Sequence, residues 1–388
     1  MADLAENTNQ QWRQWADQIR AAAADSLRMR IRGGGTKDFL GDTQQGDILL
    51  DTRAWSGVET YEPTELIVRA RAGTPLAEVE ALLASKGQYL PFEPPRYGWA
   101  SESGATLGGV VAAGLSGPGR VSRGAVRDHV LGCTLMNGRG EVLRFGGSVM
   151  KNVAGFDLSR LMAGSMGTLG VLLDVTLKVM PQPVSTATMR IEMNEADALV
   201  QVNQWAAQPI PLDASAWWDG MLVLRLRGAR AAVASSVQRL YRERGGELIA
   251  PPLADGFWQG LRDHSDEFFV RAREAVAKGG SHGVTLWRAS VPPTAAPLGL
   301  PGEQLNEWFG AQRWVCTAAP ADAVHDAAAK ARGHAQPFVS TQVRPLTDAG
   351  EMSPVLRRLH ERVQQAFDRD GVFATGRKWY LAESASLS

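Results

Sequence analysis

Glycine is concentrated in three segments of the first half of the chain, and their make-up is that of an anion cradle. The segments are Arg32-Gly33-Gly34-Gly35-Thr36, Gly104-Ala105-Thr106-Leu107-Gly108-Gly109 and residues 151–171 (KNVAGFDLSRLMAGSMGTLGV). Glycine tolerates positive φ and lets backbone N–H groups approach an anion with no Cβ between. One such loop is an ordinary turn. Three, each flanked by apolar strand-like or helical sequence, point to one large anionic ligand held at several places. A dinucleotide is the candidate, because a pyrophosphate is charged and rich in acceptor oxygens. No strand leads into G-x-G-x-x-G in a βαβ setting, and nothing matches G-x-x-x-x-G-K-[ST]. Neither a Rossmann unit nor a P-loop is therefore expected.

The other residues with chemistry to offer are dispersed. His129, His264, His282, His325, His334 and His360 stand singly, without metal-ligand spacing, so no metal site is expected. His282 and His334 fall in expected loops. Arg288 and Arg313 offer a cation to a carboxylate, but nothing in the sequence pairs them with a base. Cys133 lies in an expected strand and reads as a core thiol. With Cys316 as its only companion, it gives neither a disulfide framework nor the four ligands of an iron–sulfur cluster, which fits a reducing cytoplasm.

The elements that must position these residues can be read from periodicity. Residues 9–25 form an amphipathic helix with Trp12, Trp15 and Ile19 on one face. Strands are expected at 27–32, 47–51 (short and buried), 66–72, 130–135, 141–143 and 171–179, with a helix at 76–86 between Pro75 and Gly87. Asn137-Gly138-Arg139-Gly140 is a hairpin signal. From about residue 184 glycine loops thin and tryptophan rises. Strand-like alternation at 221–226 and 285–291 mixes there with helices at 229–244 and 321–332, and the chain ends on a helix at 354–368. The charge run 225–239 reads as a solvated helix face. With 388 residues, 44% apolar and 21% charged, the chain is long enough for two domains. Its 41 basic and 41 acidic residues cancel, which argues against nucleic acid. The start lacks the basic and apolar regions of a signal peptide, and no run approaches membrane-spanning length.

The glycine segments stand in order with Pro63-Thr64-Glu65-Leu66, Arg123-Gly124-Ala125-Val126-Arg127-Asp128-His129, N-V-A-G-F-D-L and G-T-L-G-V. Over residues 27–183 this series resembles the PCMH-type FAD-binding domain of the vanillyl-alcohol-oxidase family. The resemblance implies an α+β fold: an N-terminal helix (1–26), a two-subdomain FAD-binding domain (27–183), an α+β cap (184–340) and a C-terminal helix and tail (341–388). It implies FAD contacts from Arg32, Gly33, Gly34, Gly35 and Thr36 on the pyrophosphate. A second loop supplies Gly104, Ala105, Thr106, Gly108 and Gly109, and Gly170 and Val171 lie at the adenine end or flavin edge. Asp128 is either a further contact or, with Arg123, a structural ion pair. Covalent flavin attachment in this family uses a His or Cys in these loops, and neither loop has one, so FAD should be non-covalent.

In wording the chain is most similar to the FAD-binding subunits of bacterial glycolate oxidase (glycolate dehydrogenase), through GGVVAAGLSGPGRVSRGAVRDHVLG and SVMKNVAGFDLSRLMAGSMGTLGVLLDVTLKV. That implies a catalytic FAD subunit and an iron–sulfur subunit as partners, electrons passing toward membrane quinone, and a cytoplasmic place on the inner face of the membrane. The H-G-x-x-G-D-G-N-x-H and E-H-G motifs of the catalytic subunits are missing here. The chain is thus expected to relay electrons or stabilise the complex rather than act alone. A self-sufficient FAD-dependent 2-hydroxy-acid dehydrogenase and a flavin-free scaffold remain the alternatives. The tail departs from the family pattern, with Ala374-Thr375-Gly376-Arg377 where N-P-G-R is expected.

Overall fold

A computed structural model of the chain describes residues 2–40, 46–147, 157–279, 283–341 and 353–373. The N-terminal helix Ala2–Ala24 packs by the face its periodicity marks: Trp15 and Ile19 are buried, and Trp12 meets Trp55 edge-on at 5.8 Å. The strand Met29–Arg32 follows and pairs in parallel with Ile48–Asp51, Arg32 opposite Asp51. In the latter only Leu50 is buried, while Leu49 is exposed. A two-stranded sheet has one face on the helix and the other open, so this strand alternates instead of being buried throughout.

Five antiparallel strands form the next sheet, in the order Val58–Glu62, Ile67–Arg71, Val171–Lys178, Val130–Met136 and Val142–Gly146. The central strand, Val171–Lys178, is buried along nearly its whole length, and the one carboxylate in it, Asp174, is met by Arg69 at 3.0 Å. Helices Leu76–Ala84 and Leu107–Ala113 cover this sheet through Leu76, Val79, Leu83, Leu107, Val110 and Val111. The 137–140 turn closes the hairpin, with Gly140 at φ 71 where a Cβ would meet Ala16.

Residues 185–340 build an eight-stranded antiparallel sheet. Its order is Glu247–Ile249, Ser185–Glu192, Met221–Gly228, Leu212–Trp218, Glu303–Glu307, Gln312–Thr317, Thr285–Ser290, His334–Ser340. Period-2 alternation divides it into two faces. Along Met221–Gly228, Leu222, Leu224 and Leu226 pack with Ala198, Val202 and Trp205 of the helix Glu195–Ala206 and with Val233 and Leu240 of the helix Arg230–Arg244. Val223 turns the other way, toward Trp258 and Phe268 of helices Pro251–Asp263 and Glu267–Lys278 and toward Tyr97 of the first half.

The charge run 225–239 is thereby split. Arg225 and Arg227 belong to a strand, and Arg225 is only 2% exposed; the helix begins at Arg230. A charge count along the sequence does not reveal the carboxylates that permit such burial. His334 likewise starts a strand instead of lying in a loop.

The helix Pro354–Phe367 returns to the first half. Phe367 joins the core of the five-stranded sheet, and Val372 and Phe373 insert beside Trp15 and Met29. Val372 accepts from Met29 N at 2.7 Å. No described helix is long and apolar enough to cross a membrane.

Candidate functional site: a glycine-lined cleft

The strand Met29–Arg32 ends at the mouth of a cleft. Three chain segments meet there: residues 31–38, the start of the helix Leu107–Ala113 with Thr106 before it, and residues 166–172. Arg32, Gly33, Gly34, Gly35, Thr36, Thr106, Gly108, Gly109 and Gly170 all line it. Four predicted residues do not. Gly104 and Ala105 lie behind Gly34, and Val171 is buried in its strand against Trp15 and Leu173. Asp128 is exposed and caps its own short helix: its Oδ2 accepts from Ala125 N at 2.8 Å. Arg123 does not pair with it, binding instead Asp213 of the eight-stranded sheet at 2.6 Å. The N-V-A-G-F portion of the third segment, 152–156, lies outside the described residues, as do His282 and residues 374–377.

The glycines are required by close approach of the first two loops. A Cβ on Gly33 would stand 2.1 Å from Thr106 Oγ1, and one on Gly34 would stand 1.6 Å from the carbonyl oxygen of Gly104. Ser101 Oγ donates to the Gly34 carbonyl at 2.7 Å, and Thr52 Oγ1 donates to that of Arg32 at 3.3 Å. With their carbonyls and missing Cβ atoms spent on packing, the N–H groups of Gly33, Gly34, Gly35 and Thr36 donate to no acceptor among the described residues. Successive unpartnered N–H groups at a concave surface are a donor set for an anion. Gly109 and Gly167 have few close neighbours: a Cβ would meet only Thr106 Oγ1, at 3.1 Å, on Gly109 and only Ile31, at 3.7 Å, on Gly167. The residues present therefore fit a pyrophosphate.

Several lining residues were not foreseen. Thr52, Ala112, Ala113 and Met166 have no signal beyond their place near glycine, whereas Gly167 opens the G-T-L-G-V motif. Lys37 does, since it directly follows the R-G-G-G-T loop. Its Nζ donates to Pro95 O at 2.8 Å and Thr36 Oγ1 at 2.9 Å, and it lies 5.3 Å from the Tyr97 ring. Burial draws its pKa down to about 8, against the opposing pull of Asp263. Arg32 is held to Asp38 at 2.6 Å.

Neither Cys nor His lines the cleft among the described residues. Cys133 is buried in its strand, and burial pushes its thiol up to about 12. His129 contacts the Arg123 carbonyl at 2.8 Å, and His264 stacks on Phe269 at 3.7 Å. No group of His, Cys, Asp and Glu among the described residues is arranged for a metal.

A two-part α+β protein with a cleft of this build is a PCMH-type FAD-binding protein. Comparison with known proteins agrees: the FAD binding domain family matches residues 10–146. The chain is similar in structure to p-cresol methylhydroxylase with substrate bound, at TM-score 0.67 and 14% identity over 94% of this chain and 87% of that one. In sequence it is 42% identical to glycolate oxidase subunit GlcE of Escherichia coli (strain K12), over 94% of this chain and 96% of that protein. It also resembles glycolate oxidase subunit GlcD of Bacillus subtilis (strain 168), 29% identical over 44% of this chain and 35% of that protein. The chain belongs to the glycolate oxidase subunit GlcE family.

Proposed function

We propose that this chain is the FAD-binding subunit of a glycolate dehydrogenase (glycolate oxidase) complex that oxidises glycolate to glyoxylate. The likeness to GlcE along nearly the whole chain supports the assignment. The observation that carries the cofactor's placement is the row of four unpartnered N–H groups at residues 33–36. In this reading those groups hold the pyrophosphate, Thr106 and the Gly108–Gly109 backbone face its second side, and Gly170 lies at the far wall. Lys37 adds a positive charge at the cleft. Each charge-assisted bond contributes roughly 1.5–3 kcal/mol. Bound FAD supplies a two-electron acceptor; this chain's residues bind it, orient it and keep it non-covalent. Residues 27–183 act as the FAD-binding domain and 184–340 as the cap.

The partners are a catalytic FAD subunit and an iron–sulfur subunit, placing the complex at the cytoplasmic face of the membrane. Within it the chain relays electrons or stabilises the assembly. Purification of the tagged chain from its host tests this reading. Two co-purifying subunits and flavin absorbance near about 450 nm are expected. A colourless chain that emerges alone contradicts it.

A further inference from the structure

Away from the glycine loops, Arg288 of the inner face of the eight-stranded sheet and Arg120 of the first half meet at one ring, neither in an ion pair among the described residues. Leu305, Trp314, Arg288 and Gln336 are successive cross-strand partners, so their side chains share that face; Glu307, two residues from Leu305, shares it too. Arg288 makes a single hydrogen bond, from Nε to Gln312 Oε1 at 2.8 Å. Its two terminal nitrogens have no partner among the described residues, and it enters no ion pair there. Arg120, at the start of the short helix Arg120–Arg123, has no side-chain hydrogen bond or ion pair among them either. Both guanidiniums lie against one ring: Arg120 Cζ is 4.5 Å from Trp308 and Arg288 Cζ 5.4 Å.

That ring is held in place at a cost. Trp308 and Phe309 both have positive φ, 54° and 58°, a conformation bulky residues avoid. Trp308 Nε1 donates to Gly117 O at 3.0 Å, which ties the ring to the segment just after the cleft-lining helix Leu107–Ala113. Elsewhere on this face Arg225 is matched by Glu93 and Asp213. Arg120 and Arg288 have no such ion pair among the described residues. A half-buried charge pair of one sign calls for a counter-ion. Burial and the neighbouring charge of Arg120 already depress Arg288.

Glu307 acts on Arg288 electrostatically but makes no hydrogen bond or ion pair with it among the described residues. It accepts from Trp314 Nε1 at 2.7 Å, and burial pushes its carboxyl up to about 7 despite that bond and Arg288. Tyr97 links this place to the cleft, with Lys37 5.3 Å from its ring on one hand and Arg288 acting electrostatically on its hydroxyl on the other.

We infer that Arg120 and Arg288, with Trp308 between them, form a binding site for a small carboxylate of the 2-hydroxy- or 2-oxo-acid class. The inference rests on the reading that FAD occupies the neighbouring cleft, which makes such an acid the relevant anion. It gives this chain an acid-binding site of its own, with a carboxyl, Glu307, on the same face.

Oxalate is an unreactive probe carrying a carboxylate and adjacent oxygens. Titrated calorimetrically into the full chain, oxalate should bind. Arg288→Met and Arg120→Gln should each weaken it by about tenfold or more, the loss of one charged hydrogen-bonding partner, with flavin content unchanged. Arg120→Gln guards against a folding defect in the strand variant. No binding by the parent chain, or parent-like binding by both variants, overturns the inference. A chain that purifies without flavin overturns the proposed function instead, and the same titration still reads the arginine pair.

Discussion

Gly34 and Gly109 sit in neighbouring loops, yet their substitution should fail for different reasons. The Cβ of Gly34→Ala would overlap the Gly104 carbonyl, so even alanine forces the two loops apart. We expect a loss of roughly 1–3 kcal/mol, as for overpacked sites, together with weaker FAD retention. A parent-like urea midpoint for Gly34→Ala would contradict the close packing. At Gly109 a Cβ meets only Thr106 Oγ1, at 3.1 Å, so Gly109→Glu should carry its charge into the cleft. That variant should fold and lose flavin; full flavin content would show that the anion lies elsewhere. Lys37 adds a pH dependence. Its depressed pKa of about 8 means the cation is lost as pH rises past that value, so FAD affinity should fall there. Lys37→Met should flatten the profile and weaken binding by about tenfold. A parent-like pH profile in this variant would remove Lys37 from the site. The glycines were legible in the sequence because loop contact leaves no room for any other residue. Lys37 was not, since only the fold brings Pro95 and Tyr97 to it.

Among the elements, the contact between the two sheets is a charged network. Arg225 binds Asp213 at 2.6 Å and Glu93 at 2.8 Å, and Arg227 binds Glu93 at 3.0 Å. Ser122 and Arg123 reach the same Asp213 from the first half of the chain. Burial alone would raise Glu93, but Arg225 and Arg227 bring it down to about 2. A depressed carboxylate contributes stability that is present above its unfolded pKa of 4.5 and lost as pH falls through 2. The stake is roughly 3 kcal/mol. Glu93→Gln should therefore lower stability at pH 7 by about that amount and blunt the acid transition between those values. Equal acid unfolding curves for variant and parent would contradict it. This network explains where sequence reading stopped. Strands and helices follow from local period, and most were legible. Arg225 looked like part of a solvated run, and Asp128 like a ligand contact, because their surroundings come from Glu93, Asp213 and Ala125 through folding. Arg288 and Glu307 share a face through strand register, which local pattern does not encode.

For the whole molecule, the N-terminal helix and residues 372–373 close one structure. The N-terminal helix, the first strand pair, and Val372 and Phe373 form one apolar cluster beside the cleft-bearing strand. Truncation before residue 353 should expose that cluster and the five-stranded core at Phe367, leaving an aggregating protein; a soluble, flavin-loaded truncation would contradict this packing. The assembly prediction is kinetic. Glycolate mixed anaerobically with the isolated, FAD-loaded chain should leave the flavin oxidised, because the proposed reading gives the oxidation to the partner subunit. Rapid bleaching would make the chain a dehydrogenase in its own right.

The central claim is that this chain holds FAD, without a covalent bond, against the N–H groups of residues 33–36. Acid precipitation of the purified chain, with FAD quantified in supernatant and pellet, tests it most directly. The account predicts FAD equimolar with protein and all of it in the supernatant. Flavin fixed in the pellet, or none in either fraction, would contradict it.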